Sequence, residues 1–189
     1  MDVGTLALGL AENSTLTKLS LSFNKLNDAD AEMLAFGLRS TNSLVDLDLR
    51  ANKIRNAGTK AIANCLLSQS SIRKLFLFGN QCGATGARAL LEAIRQNKQI
   101  LVLNMDYNNC DYHSIQFWSY LNQAGRRIMK EDHFHPGLWP QVLARAGKIS
   151  RGSRGICTHA DLIFQLLVQG PGFLLQSTSQ AAGSNFDAK

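Results

Sequence analysis

The side chains able to do chemistry are few and scattered along the chain. Two short donor pairs, His133-Phe134-His135 and Cys157-Thr158-His159, supply enough ligands in number for a tetrahedral zinc ion. Their spacing does not match a zinc knuckle, and an HxH ahead of Pro136 reads as a plain loop. No metal and no cofactor is therefore expected. Cys65, Cys82, Cys110 and Cys157 form no CxxC pair, and three of them fall at inward positions of the pattern described below. They read as small core residues, not as a disulfide framework. Gly147-Lys148 lacks the preceding glycine of a phosphate loop. No serine, histidine and aspartate set has a recognisable context, and no glutamate stands beside the histidines, so the chain is not read as an enzyme.

The elements that position these residues come from a repeat. Leu16-Thr-Lys-Leu19-Ser-Leu21-Ser-Phe-Asn24-Lys-Leu26 fits LxxLxLxxNxL. The pattern returns at Leu44, Leu47, Leu49, Asn52 and Ile54, then at Ile72, Leu75, Leu77, Asn80 and Cys82. The fourth copy is Ile100, Leu103, Met105, Asn108 and Cys110, and each copy starts 28 residues after the last. The apolar residues alternate as in a short strand with one face buried. The asparagines Asn24, Asn52, Asn80 and Asn108 stand where the chain leaves the strand. A buried amide there satisfies turn backbone in its own and a neighbouring coil, so stacked copies make a structural ladder.

The second half of each copy has apolar residues three and four apart, the period of a helix with one buried face. That face reads Met33/Leu34 and Gly37/Leu38, then Ala61/Ile62 and Cys65/Leu66, then Ala89/Leu90 and Ala93/Ile94. Strands stack about 4.8 Å apart and helices need roughly 8–10 Å. The stack must curve, with parallel strands on the concave side and helices on the convex side.

These columns resemble the ribonuclease-inhibitor-like subfamily of leucine-rich repeat proteins over residues 1–127. The resemblance implies a curved α/β leucine-rich repeat solenoid, one half repeat plus four repeats, the last degenerate. Some repeat proteins of this type activate small GTPases through a single arginine, for which Arg50 or Arg55 would be the candidate here, although nothing around either marks that role. Residues 2–15 occupy helix columns with no strand of their own, so the strand at 16–21 is expected at a sheet edge. A truncated array, inert as a fragment, and an edge that pairs with a second copy are the two explanations.

The fourth copy decays into His113-Ser-Ile115-Gln-Phe117-Trp118-Ser-Tyr120-Leu121, read as the start of a C-terminal cap. Residues 128–176 leave the period and read as a small α-helical extension. It carries Leu138-Trp139-Pro140-Gln-Val142-Leu143-Ala-Arg145-Ala146, a linker at Arg151-Gly-Ser-Arg154-Gly155, and Leu162-Ile163-Phe164-Gln-Leu166-Leu167-Val168 after a Thr158–Asp161 capping box. These segments are similar to tails of repeat proteins from unicellular algae. Residues 177–189 read as a disordered tail.

The net charge is +6, of which residues 126–189 carry 8 Lys/Arg against 4 Asp/Glu. The repeat region is near neutral, which argues against nucleic acid. No apolar run approaches the length of a membrane span, and the first residues do not form a signal peptide, so a cytoplasmic monomer is expected. The leading function is a protein-protein interaction module: a scaffold, an adaptor or a sensing region. Its binding face would be the outward residues of the strands. These are Lys18, Ser20 and Ser22; Asp46, Asp48 and Arg50; Lys74, Phe76 and Phe78; and Val102, Asn104 and Asp106, with Phe23 and Tyr107 beside them. Phe76 and Phe78 flank Leu77 and so must leave the core side, which makes them hot-spot candidates. The partner's identity is not written in these residues.

Overall fold

The computed structural model describes residues 2–68 and 71–123. The chain divides into two units, Met1–Gln123 and Ala124–Lys189. The described residues all belong to the first. The zinc candidates His133, His135, Cys157 and His159, the 128–176 extension, the Arg151–Gly155 linker and the 177–189 tail lie outside them.

Helix α1 (Val3–Glu12) precedes four strand–helix copies: β1 (Lys18–Ser20), α2 (Asp28–Leu38), β2 (Asp46–Asp48), α3 (Asn56–Ser68), β3 (Lys74–Phe76), α4 (Ala84–Gln96), β4 (Val102–Asn104) and α5 (His113–Gln123). The strands form one parallel sheet in the order β1-β2-β3-β4. Their register is the repeat itself: Leu19 lies against Leu47, Leu47 against Leu75, and Leu75 against Leu103. The core runs between sheet and helices, through Leu21, Leu44, Leu47, Leu49, Ile72, Leu75, Leu77, Ile100, Leu103 and Met105. From the helix side it receives Leu34, Leu38, Ile62, Leu66, Leu90 and Ile94.

The helix face is turned from the one the spacing predicts. Met33 is exposed, and Ala61 and Ala89 are half-buried. The buried companions of the large residues are Ala31 and Ala35, Thr59 and Ala63, and Ala87. Helices α2, α3 and α4 each pack between two helical neighbours as well as on the sheet, so their buried sector is wider and is centred toward those contacts. Of the cysteines, Cys65 and Cys82 are buried as expected, while Cys110 is half-buried because its coil has begun to lose the pattern.

Backbone groups at the turns are satisfied by side chains from adjacent coils. Asn52 Oδ1 accepts from the backbone N–H groups of Asn24 and Leu26, each at 3.0 Å. Its Nδ2 donates to the carbonyls of Leu21 and Leu49, both at 2.9 Å. Asn80 accepts from Ile54 N–H and donates to Leu49 and Leu77. Asn108 accepts from Cys82 N–H and donates to Leu77 and Met105. Asn24 differs. It is exposed, and its side chain donates to Ser22 O.

A second column works in the other direction. Asp28 Oδ1 accepts from Arg55 N–H at 2.7 Å and Gly58 N–H at 3.0 Å, at the start of α3. Asn56 Oδ1 accepts from Gly83 and Gly86 N–H, at the start of α4. The first turns of α3 and α4 are thus capped by the preceding copy, whereas α2 carries its own capping box from Asn27 and Asp30. Between α1 and α2 the helices meet so closely that a side chain on Gly37 would collide with the Ala7 carbonyl, while Gly9 faces open space.

Asn52→Ala strands the N–H groups of Asn24 and Leu26 and the Leu21 carbonyl, while the Leu49 carbonyl keeps its bond from Asn80, and should lower the free energy of unfolding by about 3 kcal/mol in urea titration. Asn24→Ala should cost less than about 1 kcal/mol; equal losses would contradict this bonding scheme. Gly37→Ala should destabilise by more than about 2 kcal/mol, whereas Gly9→Ala should stabilise by about 0.5–1 kcal/mol through helix propensity.

Candidate functional site

The outward side chains of the four strands share one face, because the alternation that sends Leu47 and Leu75 inward sends their neighbours the other way. Most of the charge on this face is paired within it. Arg50 grips Asp48 with two bonds, Nε to Oδ1 at 2.9 Å and Nη2 to Oδ2 at 2.6 Å, and its guanidinium lies 5.5 Å above the Phe76 ring. The bonds from Arg50 hold the Asp48 carboxyl below its ordinary pKa, against the opposing effect of partial burial. Ser20 Oγ also reaches Asp48, at 3.4 Å. Lys74 lies 3.5 Å from Asp46 across the sheet. Asn104 Nδ2 donates to Asp106 Oδ2 at 3.1 Å, and the Tyr112 hydroxyl donates to Asp106 Oδ1. Burial, then the Asp106 bond, push the Tyr112 phenol well above its usual range. Lys18 has no ion-pair partner among the described residues.

Aromatic residues line the end of this face where the chain leaves the strands. Phe78 and Tyr107 meet with ring centroids 4.8 Å apart. Phe23 and Tyr107 are 80% and 82% exposed, the most exposed large apolar side chains among the described residues. Phe76 is only half-buried beneath Arg50, so its ring is partly withdrawn from the surface the sequence assigned to it. Phe23, Ala51, Gly79 and Tyr107 occupy one column, and all four have left-handed backbone, with φ of 61°, 51°, 66° and 57°. The turn into the asparagine demands that conformation. Glycine suits it at position 79; an aromatic suits it poorly.

Neither arginine named for a GTPase-activating role is free. Arg50 is held by Asp48, and Arg55 Nε donates to Gln81 Oε1 at 3.0 Å. Burial also disfavours the thiolate form of the described cysteines, Cys82 included. Burial pushes the Cys65 thiol up to about 11 and the Cys110 thiol up to about 12, so both are protonated near neutrality.

A Leucine Rich repeat family model matches residues 12–35 and 41–63. The fold is an α/β leucine-rich-repeat solenoid. Leiomodin-1 actin-binding site 2 superposes with a TM-score of 0.56 at 17% identity, over 75% of this chain and 80% of that one. The tropomodulin C-terminal domain of Caenorhabditis elegans gives a TM-score of 0.58 at 13% identity, over 82% of this chain and 98% of that one. At such identities the likeness is one of fold alone. No curated protein matches the sequence significantly. Within the leucine-rich-repeat frame the outward strand positions are legible from the sequence, but the aromatic column in left-handed backbone is not. Its only signal is Gly79, one glycine in a column of four.

Because the folded-state pKa of Asp48 is depressed, its ion pair adds stability above the unfolded-state pKa. That contribution is lost as pH falls through the folded value. A carboxyl-carbon NMR titration should place Asp48 below 3.8, and Arg50→Ala should move it back toward that ordinary value. An unchanged midpoint in the variant would show that Arg50 is not the cause.

Proposed function

We propose that this chain is a protein-interaction module of the ribonuclease-inhibitor-like type, a scaffold or adaptor in the cytoplasm, whose partner sits on the concave strand face and its aromatic rim. One observation carries this reading. Phe23 and Tyr107 occupy positions where backbone geometry favours glycine, and at 80% and 82% exposure they gain almost no burial in return. Among the described residues the Phe78–Tyr107 ring contact is the one return within the fold, and contact with a partner accounts for the rest. Rigid aromatic rings beside a polar face are the residue types that dominate protein interfaces.

The charges on the strand face argue for how that partner is held. Asp46, Asp48 and Asp106 already have partners within the face, so it has little free charge to offer an incoming surface. Recognition rests on the aromatic rings and on shape, and binding should depend only weakly on salt. Actin is the first partner to test, because the leiomodin-1 region with a similar fold is an actin-binding site.

Co-sedimentation of the full chain with filamentous actin, and binding to monomeric actin by fluorescence, test the partner. A photo-crosslinker at position 107, compared with one at the exposed position 88 on α4, tests the surface in cell extract whatever the partner. We expect a protein adduct from position 107 that Phe23→Ser/Phe78→Ser reduces at least about ten-fold and that survives higher salt. Equal adducts from both positions would rule out the strand face. Absence of actin binding would remove actin alone.

A further inference from the structure

The outer faces of solenoid helices meet water and are expected to be polar. Here one column breaks that rule most strongly, beyond the lesser exposure of Met33 and Leu67. Leu8 on α1 and Phe36 on α2 lie one repeat apart and are 64% and 67% exposed, whereas the same column holds Asn64 on α3 and Glu92 on α4. The repeat therefore does not require apolar residues there. Phe36 also forms one wall of a groove of about 360 Å³ between α2 and α3. Ala35, Ala57 and Ala61 contribute only methyl groups to it, so the backbone of a third helix could approach closely. Arg39 and Lys60 line the groove, and neither has an ion-pair partner among the described residues. Glu32 is the single carboxylate beside them, which leaves the groove with a net positive charge.

We infer that the α2–α3 groove is a second docking surface, for an acidic amphipathic helix of another protein. Apolar side chains of that helix, spaced three and four residues apart, would cover Phe36 and the alanines, with carboxylates meeting Arg39 and Lys60. Charge decides against the two other occupants. A second copy joined through the same face would oppose Arg39 and Lys60 with their own counterparts. The chain's residues 126–189 carry 8 Lys/Arg against 4 Asp/Glu and are themselves basic. This surface is separate from the strand face and does not rest on the reading proposed for it.

The test uses the full chain and fluorescein-labelled helical peptides with leucine and alanine on one face and either glutamate or lysine on both flanks. Fluorescence anisotropy should show saturable binding of the glutamate-flanked peptide, weakened by salt. Phe36→Ser, at an exposed position and checked for native circular dichroism, should weaken it at least about ten-fold. Arg39→Glu/Lys60→Glu should exchange the preference, losing the glutamate-flanked peptide and gaining the lysine-flanked one. Phe23→Ser/Tyr107→Ser should leave the affinity unchanged, which separates this surface from the strand face. No saturable binding, equal affinity for both peptides, or binding that survives Phe36→Ser would overturn the inference. So would Phe36-dependent binding to phosphatidylserine vesicles without peptide binding, which would assign the surface to a membrane.

Discussion

The whole array depends on a single repeated constraint: the chain must turn out of each strand without leaving buried amides unpaired. Asn52 shows how this is met. One side-chain amide serves two N–H groups and two carbonyls in two coils, at distances of 2.9–3.0 Å. No other uncharged side chain of that length offers both an acceptor and two donors on a planar group. Once the asparagine is placed, the chain on either side of it has little freedom. The leucines that precede it must alternate inward, and the backbone just before it must be left-handed.

That constraint explains what the sequence discloses. Columns such as Leu19, Leu47, Leu75 and Leu103 are visible because every copy must fill the same volume and bond the same groups. The parallel register follows, since a slip by one residue would turn the leucines outward. The helix face is less legible. Its hydrophobic residues recur at helical spacing, but alanine and glycine occur on both its edges, and only packing shows that Met33 is outside and Ala35 inside. The second capping column, Asp28 and Asn56, is hard to see because polar residues near a helix start are common. Only the 28-residue frame shows that both serve the following helix.

The two faces differ in how they use charge. On the strand face the carboxylates are matched within the sheet, and Arg50 is pinned between Asp48 and Phe76. On the helix face, Arg39 and Lys60 stand beside exposed apolar residues without such matching. Paired charge confers solubility and orders side chains but has little left to attract a partner. Unpaired charge acts at a distance and is screened by salt. One small solenoid therefore presents two surfaces whose interactions would answer differently to ionic strength.

The forward-reaching column also bears on how freely the copies could be rearranged. Asp28 caps α3 and Asn56 caps α4, but the third copy has Ala84 in that column and supplies nothing. Helix α5 is instead preceded by its own Asp111, whose Oδ1 accepts from His113 N–H. A copy with a self-capped helix can follow one that donates nothing; a copy that relies on its predecessor cannot. The modules share an outline without being interchangeable, and their order along the chain is written in the first turn of each helix.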